Sequence, residues 1–305
     1  MKAGTNLEKI LTEGRFAVTA EAGPPKSASA RVIERKGELL RDCCDAVNVT
    51  DNQTAIVRLS SLAGCVLLRE SGVEPIMQMV TRDRNRIALQ SDILGAVALG
   101  IGNILCLSGD HQKFGNHPAA KGVFDIDSIQ LIQTLKNLRD EKTFISGEAV
   151  SGDVPVFIGA VENPFADPFE IRLPRLAKKI KAGADFIQTQ AIFDLPKFCQ
   201  WMEQVADKGL DEQVHIMAGV IPMKSAGMAR YMRDYVSGVA LPDDIMTRME
   251  DAEDAKEEGV RITIEIIEQL KEIPAVHGIH IMAVGWEDMV PTIVEKAGLL
   301  PRPIL

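Results

Sequence analysis

Asn103-Ile-Leu-Cys-Leu-Ser-Gly-Asp-His111 is the stretch from which the fold is read. Residues 104–107 are a short apolar run with strand character, and Ser108-Gly109-Asp110 ends it with a small residue, a flexible one and a carboxylate. A closed parallel barrel keeps its chemistry at that end of its strands. The reading therefore predicts Asp110 beside a ligand at the mouth of such a barrel, with seven further strands delivering polar residues to the same rim.

Seven further runs are present. Apolar, β-branched segments recur at residues 16–21, 46–50, 75–80, 156–161, 186–190, 215–220 and 278–284. Segments long enough for crossover helices lie between them, among them 31–43, 56–70, 86–99, 128–139, 169–182 and 196–207. Strand and helix alternating eight times, undivided by any Pro/Gly/Ser-rich linker, is the pattern of a single (β/α)8 TIM barrel domain over residues 1–305. Gly72, Gly100 and Gly183 each stand just before a strand, where a helix C-cap wants a glycine. Gly100-Ile-Gly102 is no dinucleotide fingerprint, since it precedes a strand and lacks the third glycine. Residues 110–127 form a loop long enough to predict a functional lid or disorder. The acidic run 250–258 reads as a solvated helix start, 286–297 as a closing helix and 299–305 as a proline-punctuated tail.

Composition excludes several classes. A formal charge of -9 argues against a surface built for nucleic acid or anionic membrane. No apolar run approaches the roughly 18 to 20 residues of a membrane helix, and residues 1–15 are charged rather than a signal peptide, so the expected location is cytoplasmic. Five scattered cysteines form neither a disulfide framework nor a metal pattern and read as reduced thiols.

The residues that follow each strand would meet at the mouth. They are Glu21 with Gly23-Pro24-Pro25; Thr50-Asp51-Asn52; Gln78 and Thr81-Arg82-Asp83; Ser108-Gly109-Asp110; Glu162-Asn163-Pro164; Gln188-Thr189-Gln190; and 219–222 with Lys224. Hydroxyls, amides and carboxylates with few cations suit a neutral, hydrogen-bonding heterocycle better than a sugar phosphate. Glu21 ends an otherwise apolar strand, where poor hydration favours the protonated form of a general acid; pairing with a nearby Arg or Lys is the structural alternative. Asp110 could instead cap its loop. Gln190 can donate and accept toward a pteridine or flavin edge, or be a satisfied barrel amide. His111 and His117 read as loop residues, His277 and His280 as structural, and Cys43-Cys44 as packing.

Taken together, Ala20-Glu21-Ala22-Gly23-Pro24-Pro25, Leu107-Ser-Gly-Asp110, and Gln188-Thr-Gln190 followed by Phe193-Asp194 resemble the methylenetetrahydrofolate reductase family, over nearly the whole chain. The resemblance implies a flavin-bearing barrel, usually with FAD and with FMN as the alternative, that reduces 5,10-methylenetetrahydrofolate to 5-methyltetrahydrofolate. Under it, Glu21 matches the acid that protonates the folate so that its five-membered ring opens to an iminium, which takes hydride from flavin N5. Asp110 matches the aspartate between flavin and pterin, and Gln190 the glutamine that hydrogen-bonds the pterin. Flavin contacts would come from Thr50, Gln78, Leu107, Ser108, Gly109, Asp110, Phe124, Asn163 and Lys179, the last as a phosphate partner.

Several positions depart from the better-known bacterial pattern. Asp51 stands for an aromatic, Gln78 for a histidine, Ser108 for an arginine, Ala226 for the phenylalanine that stacks on nicotinamide and folate, and Trp286 for an arginine. Loss of the stacking phenylalanine weakens the case for direct NADH oxidation. It points instead to electrons delivered through a partner subunit, as in the folate branch of anaerobic one-carbon metabolism, where reductases of this type associate with an iron-sulfur or zinc protein. A homo-oligomer is also open. Two other readings compete: a flavin-free pterin barrel that transfers a methyl group, and a non-catalytic barrel subunit of a redox complex.

Overall fold

The computed structural model describes residues 1–303. Its eight parallel strands close in sequence order: β1 (Ala17–Ala22), β2 (Ala46–Val49), β3 (Pro75–Val80), β4 (Asn103–Leu107), β5 (Phe157–Glu162), β6 (Phe186–Ala191), β7 (His215–Val220) and β8 (Val276–Ile281). β8 returns to β1 with Thr19 opposite His280, so the sheet has no free edge. All eight expected strands are present; the last leaves the sheet after Ile281, short of the expected residue 284.

Around them lie α1 (Asn6–Thr12), α2 (Ala30–Leu40), α3 (Ser61–Glu70), α4 (Arg86–Ala98), α5 (Ser128–Lys136), α6 (Arg172–Ala182), α7 (Leu195–Asp207), α8 (Ala226–Tyr235), α9 (Asp243–Asp251), α10 (Ala255–Lys271) and α11 (Val290–Lys296). None of the helices is long and apolar enough to cross a membrane. Residues 56–60 do not join α3, because Ser60 caps it by accepting from Ala63 N and the chain before it turns through left-handed backbone at Thr54 and Ala55. The acidic run 250–258 is not one solvated helix start. Glu250 and Asp251 end α9, Asp254 caps α10, and Glu258 is buried between Arg248 and Arg261. The three glycines expected as caps all take positive φ: 79° at Gly72, 76° at Gly100 and 117° at Gly183. Residues 110–127 contain one short 3-10 turn at Gln112–Phe114. The last two residues of the expected tail lie outside the described residues.

The period-two alternation of each strand separates two cores. Val18, Ala20, Val47, Val49, Ile104, Cys106, Ile158 and Ala160 face outward into the layer under the helices. Ala17, Ala46, Ile76, Leu105, Phe157, Phe186 and Met217 face inward and fill the lower barrel, where Phe157 and Phe186 stack with centroids 5.1 Å apart. α1, which sequence reading missed, plugs the N-terminal end with Leu7, Ile10 and Leu11, all fully buried and each worth about 1.5–3 kcal/mol of transfer free energy. The Glu74 carboxylate accepts from Asn6 N and Leu7 N and ties the start of α1 to the barrel. With the bottom sealed by apolar side chains, the open end is the C-terminal mouth.

Candidate functional site

The inward positions become polar toward the mouth. Above the apolar plug sits a belt of Thr19, Asn48, Gln188 and His280, all at most 3% exposed. Two residues further along β1, Glu21 is half-buried, and Gln78 of β3 donates from Nε2 to Glu21 Oε1 at 3.1 Å. His280 Nε2 lies 3.6 Å from that same oxygen. Glu21 thus accepts from an amide and faces an imidazole rather than an Arg or Lys, and Gln78, expected only toward a cofactor, meets the acid directly.

β4 delivers Ser108 and Asp110 to the rim with exposed side chains, while Gly109 makes the turn at φ 86°. The Asp110 backbone is held from below: buried Arg82 donates to Asp110 O at 3.0 Å, to Asn52 O at 3.3 Å and to Asp83 at 2.7 Å. This guanidinium fastens the loops after β2, β3 and β4 into one rim. Burial opposes ionisation of Asp83, but the Arg82 contact prevails and holds that carboxyl below its usual range. Asp51, buried at the end of β2, accepts from Val80 N at 2.9 Å and from Arg84 at 2.7 Å.

On β6 the register slips between Gln188 and Ala191, a bulge that lets Gln190 Oε1 accept from Ala191 N at 3.0 Å. Thr189 locks this turn by accepting from Gly219 N at 2.9 Å and donating to Gln190 O at 2.8 Å. Glu21, Asp110 and Gln190 accordingly stand at the C-terminal ends of β1, β4 and β6, around one mouth.

The other sequence candidates divide. Thr50 is buried at the end of β2 with a hydroxyl that has no hydrogen-bond partner among the described residues, as is Thr81 at the end of β3. The Thr50 hydroxyl shares the inward parity of Asn48 and is free to accept from or donate to a polar group at the mouth. Leu107 packs on the inner core, and Phe124 is exposed in the long loop at φ 42°. Asn163 donates to Ser237 O at 3.1 Å, bracing the β5 loop against the segment after α8. Lys179 points to the sheet-helix layer instead of the solvent: its Nζ donates to Val161 O at 2.6 Å and to Glu162 Oε2 at 2.7 Å. Burial pulls this lysine below its usual value, against the opposing pull of Glu162. Its charge is therefore already committed, and a phosphate would have to share it.

Of the departures, Ala226 opens α8 half-buried against the core, and Trp286 is half-buried before a 3-10 turn at Glu287–Met289. His111 and His117 are exposed loop residues, His111 accepting from Lys113 N. Cys43 and Cys44 are buried with sulfurs 3.8 Å apart, and all five cysteines are free thiols.

Sequence reading missed Thr19, Asn48 and His280 as site residues. The signal was available in strand parity: Thr19 lies two residues before Glu21 and Asn48 two before Thr50, so each shares an inward face with a candidate.

Comparison with known proteins identifies the family and the fold. The family model described as methylenetetrahydrofolate reductase matches residues 6–298. Methylenetetrahydrofolate reductase 2 of Saccharomyces cerevisiae is 26% identical over 75% of this chain and 37% of its own length. The 5,10-methylenetetrahydrofolate reductase of Pectobacterium carotovorum is 23% identical over 97% of this chain and 95% of its own. The chain spans less than half the length of the fungal relative and nearly all of the bacterial one. Among solved structures, an uncharacterised Clostridium thermocellum protein that binds two copies of 5-methyl-5,6,7,8-tetrahydrofolic acid shares the fold, with a TM-score of 0.65 at 13% identity over 96% of this chain and 98% of that one. A match along almost its entire length, on a barrel whose mouth carries Glu21, Asp110 and Gln190, makes this chain a member of the methylenetetrahydrofolate reductase family.

Proposed function

We propose that the chain reduces 5,10-methylenetetrahydrofolate to 5-methyltetrahydrofolate, with Glu21 as the general acid. The observation that carries this reading is Glu21 itself, a half-buried carboxyl at the mouth with Gln78 Nε2 on Oε1. With Oε1 accepting, the acid proton belongs on Oε2, from which it passes to the folate ring and opens it. Asp110, exposed at the rim with its backbone fixed by Arg82, supplies the negative charge that stabilises the resulting cation. Gln190 orients the pterin with the amide nitrogen that its backbone contact leaves over.

The residues present fit a flavin. The orphaned Thr50 hydroxyl, the exposed Ser108 and Asp110, and the turn at Gly109 would hold it at the rim, with Gln78, Leu107, Phe124 and Asn163 around it, and Lys179 would meet its phosphate only by sharing the charge it gives Glu162. When bound, reduced flavin supplies the hydride. The mass of the released cofactor separates FAD from FMN, and a flavin absorbance spectrum excludes the flavin-free methyltransferase reading. The electron source belongs to the same proposal. With Ala226 in place of a stacking aromatic, electrons come through a partner subunit that carries its own redox centre, such as an iron-sulfur cluster, and rapid bleaching of the isolated chain by NADH would overturn that part.

Replacing Glu21 with Gln tests the chemistry. Flavin reduction by the donor persists, while folate turnover falls by about 10²- to 10⁴-fold. Unchanged turnover would remove Glu21 from the mechanism and leave the barrel as a scaffold.

A further inference from the structure

The buried belt below Glu21 has a direction. Asn48 and Gln188 exchange two hydrogen bonds, Asn48 Nδ2 to Gln188 Oε1 at 2.7 Å and Gln188 Nε2 to Asn48 Oδ1 at 3.2 Å, and the second hydrogen of that Gln188 nitrogen goes to Thr19 Oγ1 at 3.2 Å. A hydroxyl that accepts from an amide has its own hydrogen left for an acceptor. The two acceptors in reach of Thr19 are His280 Nδ1 at 3.0 Å and, farther, Ile279 O at 3.3 Å. Donation to Nδ1 leaves the neutral imidazole with its proton on Nε2, the nitrogen 3.6 Å from Glu21 Oε1.

From this chain of contacts we propose that His280 is a positioning residue for Glu21, its tautomer set by Thr19, Gln188 and Asn48. The proposal rests on the reading of Glu21 as the acid. A separation of 3.6 Å is too long for a hydrogen bond. Glu21 is only half-buried, however, and contacts of this kind tighten when a ligand closes the site. Gln78 and His280 both address Oε1, so together they reserve that oxygen as acceptor and keep the proton on Oε2. Once the proton has left, the same two donors stabilise the negative charge on the carboxylate, which favours its departure. An interior imidazole only 3% exposed is costly to hold unless its two nitrogens are both engaged, and here they face a hydroxyl and a carboxyl.

Two measurements test this. The first uses the apo protein and is independent of folate chemistry. Nitrogen NMR of ¹⁵N-histidine-labelled protein, with His280 assigned by its loss in His280→Gln, shows the Nε2–H tautomer, and Thr19→Val erases that preference. An Nδ1–H tautomer in the parent overturns the proposal even if Glu21 is the acid. The second is steady-state folate reduction by the flavin-loaded enzyme. His280→Ala lowers kcat by about 10- to 100-fold with little change in KM, the loss expected for one hydrogen bond to a charged group. His280→Gln, which places an N–H near the same point, recovers most of it. Equal kcat in the Ala variant, or a Gln variant no better than Ala, overturns the positioning role. If Glu21→Gln itself leaves turnover unchanged, the reading of the acid fails, and the tautomer measurement still decides whether the belt orients His280.

Discussion

Replacing Glu162 with Gln strands a buried charge, and the structure gives the size of the effect. The side chains of Lys179 and Glu162 are 7% and 1% exposed, and their contact is 2.7 Å long. The amide keeps the shape but removes the countercharge, leaving the ammonium with neutral acceptors only, the amide oxygen and the Val161 carbonyl. Breaking one partner of such a pair costs about 3–5 kcal/mol, a large share of a total stability of about 5–15 kcal/mol. Removing both partners in Glu162→Gln/Lys179→Met returns the protein to within about 1 kcal/mol of the parent, since no uncompensated charge remains. Lysine also has an escape by losing its proton. Burial already holds Lys179 below its usual value, and without Glu162 the neighbouring charges of Arg175 and Arg172 also disfavour the ammonium. When the folded value is the lower one, the unfolded chain binds more protons between the two values, so this group's contribution to stability rises with pH across that window. The deficit of Glu162→Gln therefore narrows as the pH is raised from neutral toward the ordinary lysine value. Urea unfolding followed by circular dichroism at the two ends of that range, with unchanged m, is the assay. A Glu162→Gln variant within about 1 kcal/mol of the parent, or single losses that simply add in the double variant, refutes the reasoning.

Lys179 and His215 carry two further expected outcomes. If Lys179 shares its charge with a flavin phosphate, Lys179→Met weakens flavin binding by about tenfold in a fluorescence titration, the worth of one charge-assisted contact; unchanged affinity confines the lysine to the Glu162 pair. At the bottom of the barrel, burial and then the neighbouring His277 push His215 down to about 4. Below the ordinary histidine value the unfolded chain binds a proton that the folded chain refuses, so stability falls as the pH drops from about 6.5 toward 4. Urea midpoints across that range decline less steeply in His215→Gln, and parallel curves would assign the acid sensitivity elsewhere.

Much of this protein is written locally. The abrupt halt at Ser108-Gly109-Asp110, the apolar runs and the glycines before strands are short-range signals, and each reappears as a strand end or a left-handed helix terminus. Glu21, Asp110 and Gln190 were legible for the same reason, because a residue that closes a strand of a parallel barrel is delivered to the mouth whatever the rest of the chain does. Helix α1 was not legible, since seven residues carry too little periodicity and its purpose is to fill a hole made by all eight strands. Nor was the commitment of Lys179, whose partner is set by which face of β5 packs on α6. Most of all, the line from Asn48 through Gln188 and Thr19 to His280 and Glu21 joins β2, β6, β1 and β8 across the barrel interior. Sequence alone determined which side chains point inward, through the two-residue repeat of a strand; only closure of the sheet decided which of them touch, because contact across a barrel depends on register and shear summed over every strand between them.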